Sequence, residues 1–237
     1  MPGKVTILQR TVLHRPLFLP PRAGVALVAV AILCAVAALA ISAVKTASLV
    51  DFFSWLGDTD WSSGLHGSQY AYSIIESLHV WTLALFFGTV VMFDLRLLGL
   101  SMRNVPVSQV VDRLLPWTMV AFVLMVITGS LLFFAIPLRS FQNIFFRFKM
   151  ILLIIAALNI WLFHKSVYPN VAAWDADPVP PKRVRMAGAI SLALWTCIVV
   201  SGRMIAYNWF DCDRQPQAAI INFLTSCIAG SANLAGN

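Results

Sequence analysis

The chain has 237 residues, of which 59% are hydrophobic and only 11% are charged, and its formal net charge is +7. So little charge cannot coat a soluble globule of this size, and the composition is typical of an integral membrane protein. A positive charge in such a protein reflects membrane topology and contact with anionic lipid, so no nucleic-acid partner is expected.

Membrane-spanning helices require about 20 predominantly apolar residues, and several segments of the chain reach that length. They are Ala23–Val44, Tyr70–Leu97, Leu115–Ile136, Phe146–Lys165 and Met186–Tyr207. The first is too long for the apolar part of a signal peptide and lacks a cleavage signature, so we expect it to be retained. Because the connections are tight, we predict an all-α integral membrane protein, an antiparallel helix bundle with five transmembrane helices.

This pattern divides the chain into three parts. Residues 1–69 contain a cytoplasmic tail, the first transmembrane helix and an external segment around Ser48–Trp55 that is predicted to form an amphipathic helix. Residues 70–207 form a four-helix membrane bundle. Residues 208–237 form an external tail, because the apolar stretch Ala218–Ile228 is too short to cross a membrane.

Lysine and arginine predict the orientation, because cationic loops stay in the cytoplasm. They are concentrated before the first span and in the loops that follow the second and fourth spans. We therefore expect a bacterial inner-membrane protein with a cytoplasmic N-terminus and a periplasmic C-terminus. That compartment permits a disulfide between Cys212 and Cys227, although free thiols are equally open, and Cys34 and Cys197 are expected to be small packing residues.

Four ionisable residues lie in the outer half of the predicted bundle. With a rise of about 1.5 Å per residue, Glu76, His79, Lys149 and Arg203 are about 9, 13, 4 and 6 Å from the outer ends of their helices. A charge in hydrocarbon costs at least about 2.5 kcal/mol, which favours an interior position and pairing, for example Glu76 with Arg203.

Two interpretations of this layer remain open. In the first, His79 is the iron ligand of a heme b, while Lys149, Arg147 or Arg203 contacts the propionates, or Lys149 is a second, neutral axial ligand. In the second, Glu76, His79 and Arg203 form a polar clasp between helices without a cofactor.

Other polar residues receive simpler interpretations. His164 is about 14 Å deeper along the bundle than His79, too far for both to hold one iron, and is expected to be interfacial. The Asp94-Leu-Arg96 element is predicted to be a local charged cap, and Asn159 is predicted to hydrogen-bond across helices. Copper would call for clustered Met, His or Cys side chains, whereas the methionines are scattered.

Several short motifs between Tyr70 and Tyr207 resemble an uncharacterised bacterial membrane domain. They are Ile-Glu-Ser-Leu-His79, Asp94-Leu-Arg96-Leu-Leu-Gly, Leu115-Pro-Trp, Phe146-Arg-Phe-Lys149 and Gly202-Arg203-Met-Ile-Ala-Tyr207. That domain in turn is similar to the copper-resistance D proteins and the HemJ-type protoporphyrinogen oxidases. In the HemJ-type proteins, a histidine early in the first shared helix and a lysine at the start of the third are associated with heme b, which implies these roles for His79 and Lys149.

Three functions follow as hypotheses. The first is a heme b subunit of a membrane complex that passes electrons to or from quinone or an external redox partner. The second is a structural or anchoring subunit without a cofactor, and the third is a copper uptake or tolerance protein. The sequence leaves open whether the chain is itself an enzyme.

Overall fold

The computed structural model describes residues 46–207, 209–212 and 214–227, and this part of the chain is helical, without strands. A 3₁₀ helix, Tyr168–Ala173, joins two of the longer α-helices. The α-helices, numbered here along the described residues, are α1 (Thr46–Gly57), α2 (Asp60–Gly67), α3 (Gln69–Leu98), α4 (Val107–Ala135), α5 (Pro137–Gln142), α6 (Ile144–Ser166), α7 (Lys182–Ile205) and α8 (Ala219–Thr225).

Four of these helices are long and apolar enough to cross a membrane. The candidate spans are Tyr70–Leu98, Val107–Ala135, Ile144–Ser166 and Lys182–Ile205. They match the last four predicted spans, and the predicted first span, Ala23–Val44, lies outside the described residues. The structure therefore shows an all-helical chain with four candidate spans in its described part, where five were predicted for the whole chain.

The start of α4 differs from its prediction by eight residues. The sequence predicts this span to begin at Leu115, but α4 begins at Val107 and continues through Pro116. Proline is tolerated inside a membrane helix, because neighbouring groups can satisfy the carbonyl that its ring leaves free. Pro106, directly before the helix, fixes the actual boundary because its φ of -53° suits a helix start.

The four long helices pack in the order α4, α3, α7 and α6. Consecutive helices are joined by connections much shorter than themselves, so α3 with α4 and α6 with α7 form antiparallel pairs. All four contribute to one apolar core, in which Phe86 of α3 packs edge-on against Trp195 of α7 at 4.7 Å between ring centroids. α4 and α6 meet through the stacked rings of Phe133 and Phe146, 5.4 Å apart.

At one end of the bundle, here called the disulfide end, the C-terminal tail is folded back onto α5 and α6. Cys212 and Cys227 form a disulfide, so the pairing that the sequence left open is present. Asp211 accepts hydrogen bonds from Arg139 Nε at 2.9 Å and from Asn143 Nδ2 at 3.0 Å. The tail is therefore held by both polar contacts and a covalent bond.

Arg147 strengthens the same attachment from α6. Its guanidinium donates to the backbone carbonyl of Leu224, to Thr225 O at 3.3 Å and to Ser226 Oγ at 2.9 Å. It also lies over the ring of Phe141, 4.4 Å from the centroid. The α1 helix packs on this region as well, since Phe53 stacks on Phe141 at 4.6 Å.

At the opposite end, here called the Arg96 end, a buried arginine joins the two loops of the bundle. Arg96 has no exposed surface, and its guanidinium donates to Val105 O at 2.7 Å, Asp175 O at 3.2 Å and Asp177 O at 3.1 Å. The predicted local charged cap is therefore wrong. A capping side chain would bond to its own helix and lie near solvent. Arg96 instead is buried and donates to backbone carbonyls of both loops at this end.

Two smaller predictions have clear outcomes. Asn159 Nδ2 of α6 donates to Ala187 O of α7 at 3.3 Å, which confirms the predicted hydrogen bond across helices. Cys197 was expected to pack inside the bundle, but it is exposed on α7 and is a free thiol. Cys34 lies outside the described residues.

Candidate functional site

His79 is held against α4 by a single side-chain hydrogen bond. Its Nδ1 lies 2.9 Å from Thr128 Oγ1. The same hydroxyl donates to Leu124 O, four residues earlier on α4, at 2.8 Å. The hydroxyl carries one hydrogen, so in the arrangement in which it donates to Leu124 O it accepts from His79; Nδ1 then carries the proton and Nε2 carries the lone pair. The imidazole also interacts with the backbone of Met125 on α4.

Gly129 allows the imidazole to approach the backbone of α4. A Cβ atom at this position would lie 3.1 Å from Cε1 of His79, closer than nearly all real contacts of this kind. Small residues let membrane helices come together in this way. Thr128 and Gly129 thus form one supporting surface, which fixes both the tautomer and the position of the His79 ring.

Lys149 approaches the same region from the other pair of helices. Its Nζ lies against the backbone of α7, where a Cβ atom at Gly202 would be 3.4 Å away. It is also close enough to interact electrostatically with His79. The structure therefore places the amine within electrostatic range of the imidazole that the sequence singled out, and each of the two side chains packs against a glycine on a neighbouring helix.

The remaining predicted residues lie elsewhere. Glu76 is exposed, and Arg203 is exposed with its guanidinium over the ring of Tyr207 at 5.0 Å. The guanidinium of Arg147 is already hydrogen-bonded to the C-terminal tail. A propionate could bind Arg147 only by displacing these hydrogen bonds, so Arg203 is the more accessible cation.

The predicted ion pair between Glu76 and Arg203 is not formed. Within the described ranges, the one ion pair closer than 4.0 Å joins Arg139 and Asp211. The physical reason is the length of the helix. α3 has 30 residues and is about 45 Å long, whereas the hydrocarbon layer of a membrane is about 30 Å thick, so the ends of α3 extend beyond that layer. Side chains near such helix ends can extend to the headgroup region, so burial does not force them to pair.

His164 lies near the end of its helix, and its interfacial role stays a prediction. It is exposed near the Arg96 end of α6, where Nδ1 lies 3.0 Å from Ile160 O and the ring packs on Tyr168. It takes no part in the group around His79.

Across the residues that the structure describes, no group of three or more His, Cys, Asp or Glu side chains could hold a metal ion. A heme requires only one or two protein ligands, because the porphyrin supplies the other four. The donor set around His79 is therefore compatible with a heme, whereas no described cluster resembles a copper or zinc site.

Two supporting residues were missed from sequence. Thr128 and Gly129 lie in the run Thr128-Gly129-Ser130, which interrupts an otherwise apolar helix. Small and hydroxyl residues in such a position indicate a helix contact. They do not indicate which side chain of the neighbouring helix is contacted.

A model described as a family of unknown function (DUF6644) matches residues 50–208, which is more than half of the chain. This supports the resemblance to an uncharacterised domain; the more distant similarity to the copper-resistance D and HemJ-type proteins is not shown. No curated protein and no solved structure is significantly similar to the chain.

Proposed function

Because the chain belongs to the DUF6644 family, whose function is unknown, we propose from its own residues that it is a heme b-binding integral membrane subunit for electron transfer. The electrons would pass to or from quinone or an external redox partner, within a larger membrane complex. The observation that carries this proposal is the contact between His79 Nδ1 and Thr128 Oγ1, which would leave the lone pair of Nε2 for a ligand.

Heme iron is bound by a neutral imidazole, and a ligating histidine normally donates its other ring N–H to a nearby acceptor. Thr128 can supply that acceptor, which would give His79 the tautomer and the restraint that a ligand needs. A bound heme would supply a one-electron carrier between the spans. The resemblance of the His79 and Lys149 positions to those of HemJ-type proteins points in the same direction.

Lys149 could bind the heme in either of two ways. Its Nζ, packed against Gly202 and near His79, can donate to a propionate or, as a neutral amine, serve as a second axial ligand. Arg203 would then help to bind the propionates at the exposed edge of the site, and Glu76 would contribute to the charge at that edge. These side chains supply the donor atoms that the group would need.

The membrane and the orientation belong to the same proposal. We place the disulfide end in the bacterial periplasm, because disulfides persist in oxidising compartments, and the Arg96 end in the cytoplasm. The Arg96 end carries several exposed cations outside the apolar core, including Arg103, Arg113 and Lys182. With a fifth span at Ala23–Val44, the N-terminus would be cytoplasmic.

One observation favours a second candidate, a structural or anchoring subunit without a cofactor. The hydrogen bond between His79 and Thr128 joins α3 to α4, and such bonds alone contribute about 0.6 kcal/mol on average to the stability of membrane bundles. On this alternative, Nε2 has no ligand and the polar layer only fixes the register of the helices.

A reduced-minus-oxidised absorbance spectrum of the purified protein separates the two candidates. The heme proposal predicts a Soret band that shifts with dithionite, that is lost in His79→Ala and that is retained in His164→Ala. His164 is a matched control because it is an exposed histidine of the same bundle, remote from Thr128. A folded wild-type protein without a Soret band, even after expression with added heme, would refute the heme and leave the structural role.

A further inference from the structure

Asp94 is a buried carboxyl on a candidate membrane span. The proposed function does not involve this carboxyl. It lies on α3, four residues or about 6 Å before the end at Leu98, and its side chain is almost completely buried, with 2% exposure. Its Oδ2 atom is buried without a hydrogen-bond partner. Ser191 of α7 is the side chain that interacts with the carboxyl.

The nearest cation along the chain does not neutralise this group. Arg96 directs its guanidinium to the carbonyls of Val105, Asp175 and Asp177, and its Nη1 is itself buried without a partner. The two unpartnered groups do not meet within 4.0 Å, since among the residues the structure describes only Arg139 and Asp211 form an ion pair.

Among the described residues, the other elements packed around Asp94 also bring no countercharge. On α7, Gly188 approaches so closely that a Cβ atom there would lie 3.3 Å from Asp94 O, and Ser191 carries only a hydroxyl. On α3 itself, Arg96 is the charged neighbour, and it faces the loops. Within the described part of the chain, the hydroxyl of Ser191 acts on the carboxyl, and no charged side chain does.

An ionised carboxylate in such surroundings would be very unfavourable. Removing a charge from water costs several kcal/mol, and only a well-placed counterion or several hydrogen bonds can offset it. Asp94 has neither, whereas a protonated carboxyl removes the charge and leaves one donor and one acceptor to satisfy.

We propose that Asp94 is a proton-binding site in the bundle interior, a neutral carboxylic acid in the folded protein at neutral pH. The carboxylate takes up one proton from water, and no electron moves. The exchange would occur with the aqueous phase at the Arg96 end, because Asp94 is about one helical turn from that end and more than 30 Å from the other. This proposal does not depend on a heme at His79.

Infrared difference spectroscopy of the purified full-length protein tests the proposal directly. A protonated carboxyl has a carbonyl stretch separated from the carboxylate and amide bands, and it shifts on exchange into D₂O. We expect this band in the wild type at pH 7 and its loss in Asp94→Asn. Asp112→Asn, which changes an exposed aspartate at the start of α4, should leave the band unchanged.

A second variant keeps the test decisive if Asp94→Asn does not fold. Ser191→Ala removes the one hydroxyl that interacts with the carboxyl, so the band should move to higher frequency while Asp94 stays in place. A wild type without the band at pH 7, or a band that neither variant alters, would overturn the proposal. Such a result would mean that Asp94 is ionised and is linked to Arg96 through water.

Discussion

Nδ1 of His79 on α3 lies 2.9 Å from Thr128 Oγ1 of α4, within hydrogen-bond distance. The same hydroxyl lies 2.8 Å from Leu124 O, and when it donates its one hydrogen there, it accepts from His79. One threonine therefore decides which nitrogen of the imidazole is free to bind a ligand.

The first prediction concerns this hydrogen bond. Thr128→Val keeps the shape of the side chain but removes the acceptor, so His79 loses its tautomer control. Loss of such a partner of a metal ligand typically lowers affinity or activity by about 10–100-fold. Heme titration followed at the Soret band should show this loss in Thr128→Val and not in Thr128→Ser, which retains the hydroxyl. Equal affinities of the two variants would show that Thr128 does not position His79.

The second prediction concerns the glycine below the ring. Gly129→Ala would place a Cβ atom 3.1 Å from Cε1 of His79, so the ring must move away from α4. We expect a changed or weakened Soret band and a lower midpoint of thermal unfolding.

Gly88→Ala is the matched control for this change, because a Cβ atom at Gly88 of α3 would meet nothing within 4 Å. Alanine also has the higher helix propensity, so this variant should be as stable as the wild type or slightly more stable. If both variants behave alike, the contact between Gly129 and His79 does not constrain the site.

The third prediction concerns the tail. Asp211 is 5% exposed and accepts hydrogen bonds from Arg139 and from Asn143, which is 2% exposed. Asp211→Ala leaves the buried amide of Asn143 without this acceptor, at a cost of about 1–3 kcal/mol. We expect faster proteolysis within residues 209–227, and a further increase when the disulfide is reduced.

Asp58→Ala serves as the control for the tail, since Asp58 is an exposed aspartate that follows α1. Its proteolysis pattern should match that of the wild type. Unchanged cleavage in Asp211→Ala, with the disulfide intact or reduced, would show that the polar contacts do not hold the tail.

The four long helices could be predicted from sequence because the thickness of the membrane sets a minimum length of apolar chain. The exact start of α4 could not, because Pro116 reads equally well as a first-turn residue or as an interior proline of a membrane helix. Apolar length therefore predicts the presence of a span more reliably than its boundaries.

His79 and Lys149 could be found because ionisable residues stand out in apolar helices. Thr128 could not, since a threonine in a helix commonly bonds its own carbonyl four residues back, and Thr128 does this as well. The contacts of Arg96 and Arg147 were also hidden, because their partners are backbone carbonyls of loops and of the tail, which carry no residue-specific signal.

The last prediction concerns how the stability of the fold depends on pH. At the Arg96 end, hydrogen bonds to Asp175 link the loop before α7 to the start of α4. Its carboxylate accepts hydrogen bonds from Ser108 N and Ser108 Oγ, both at 2.7 Å. Desolvation opposes ionisation, but these hydrogen bonds, one from Val107 and the charge of Arg96 outweigh it and hold the pKa of Asp175 below its usual value of 3.8.

Because the pKa is lower in the folded state, the ionised carboxylate stabilises the fold above pH 3.8, and this contribution is lost as the pH falls through the folded-state pKa. Asp175→Asn removes that dependence. Thermal unfolding followed from pH 7 to below the folded-state pKa should therefore show a larger loss of midpoint temperature in the wild type than in Asp175→Asn, with the two converging at the acidic end. Ser108→Ala should give an intermediate slope, because it removes one of the two Ser108 hydrogen bonds. Parallel pH profiles for all three proteins would show that Asp175 does not contribute to the acid sensitivity of the fold.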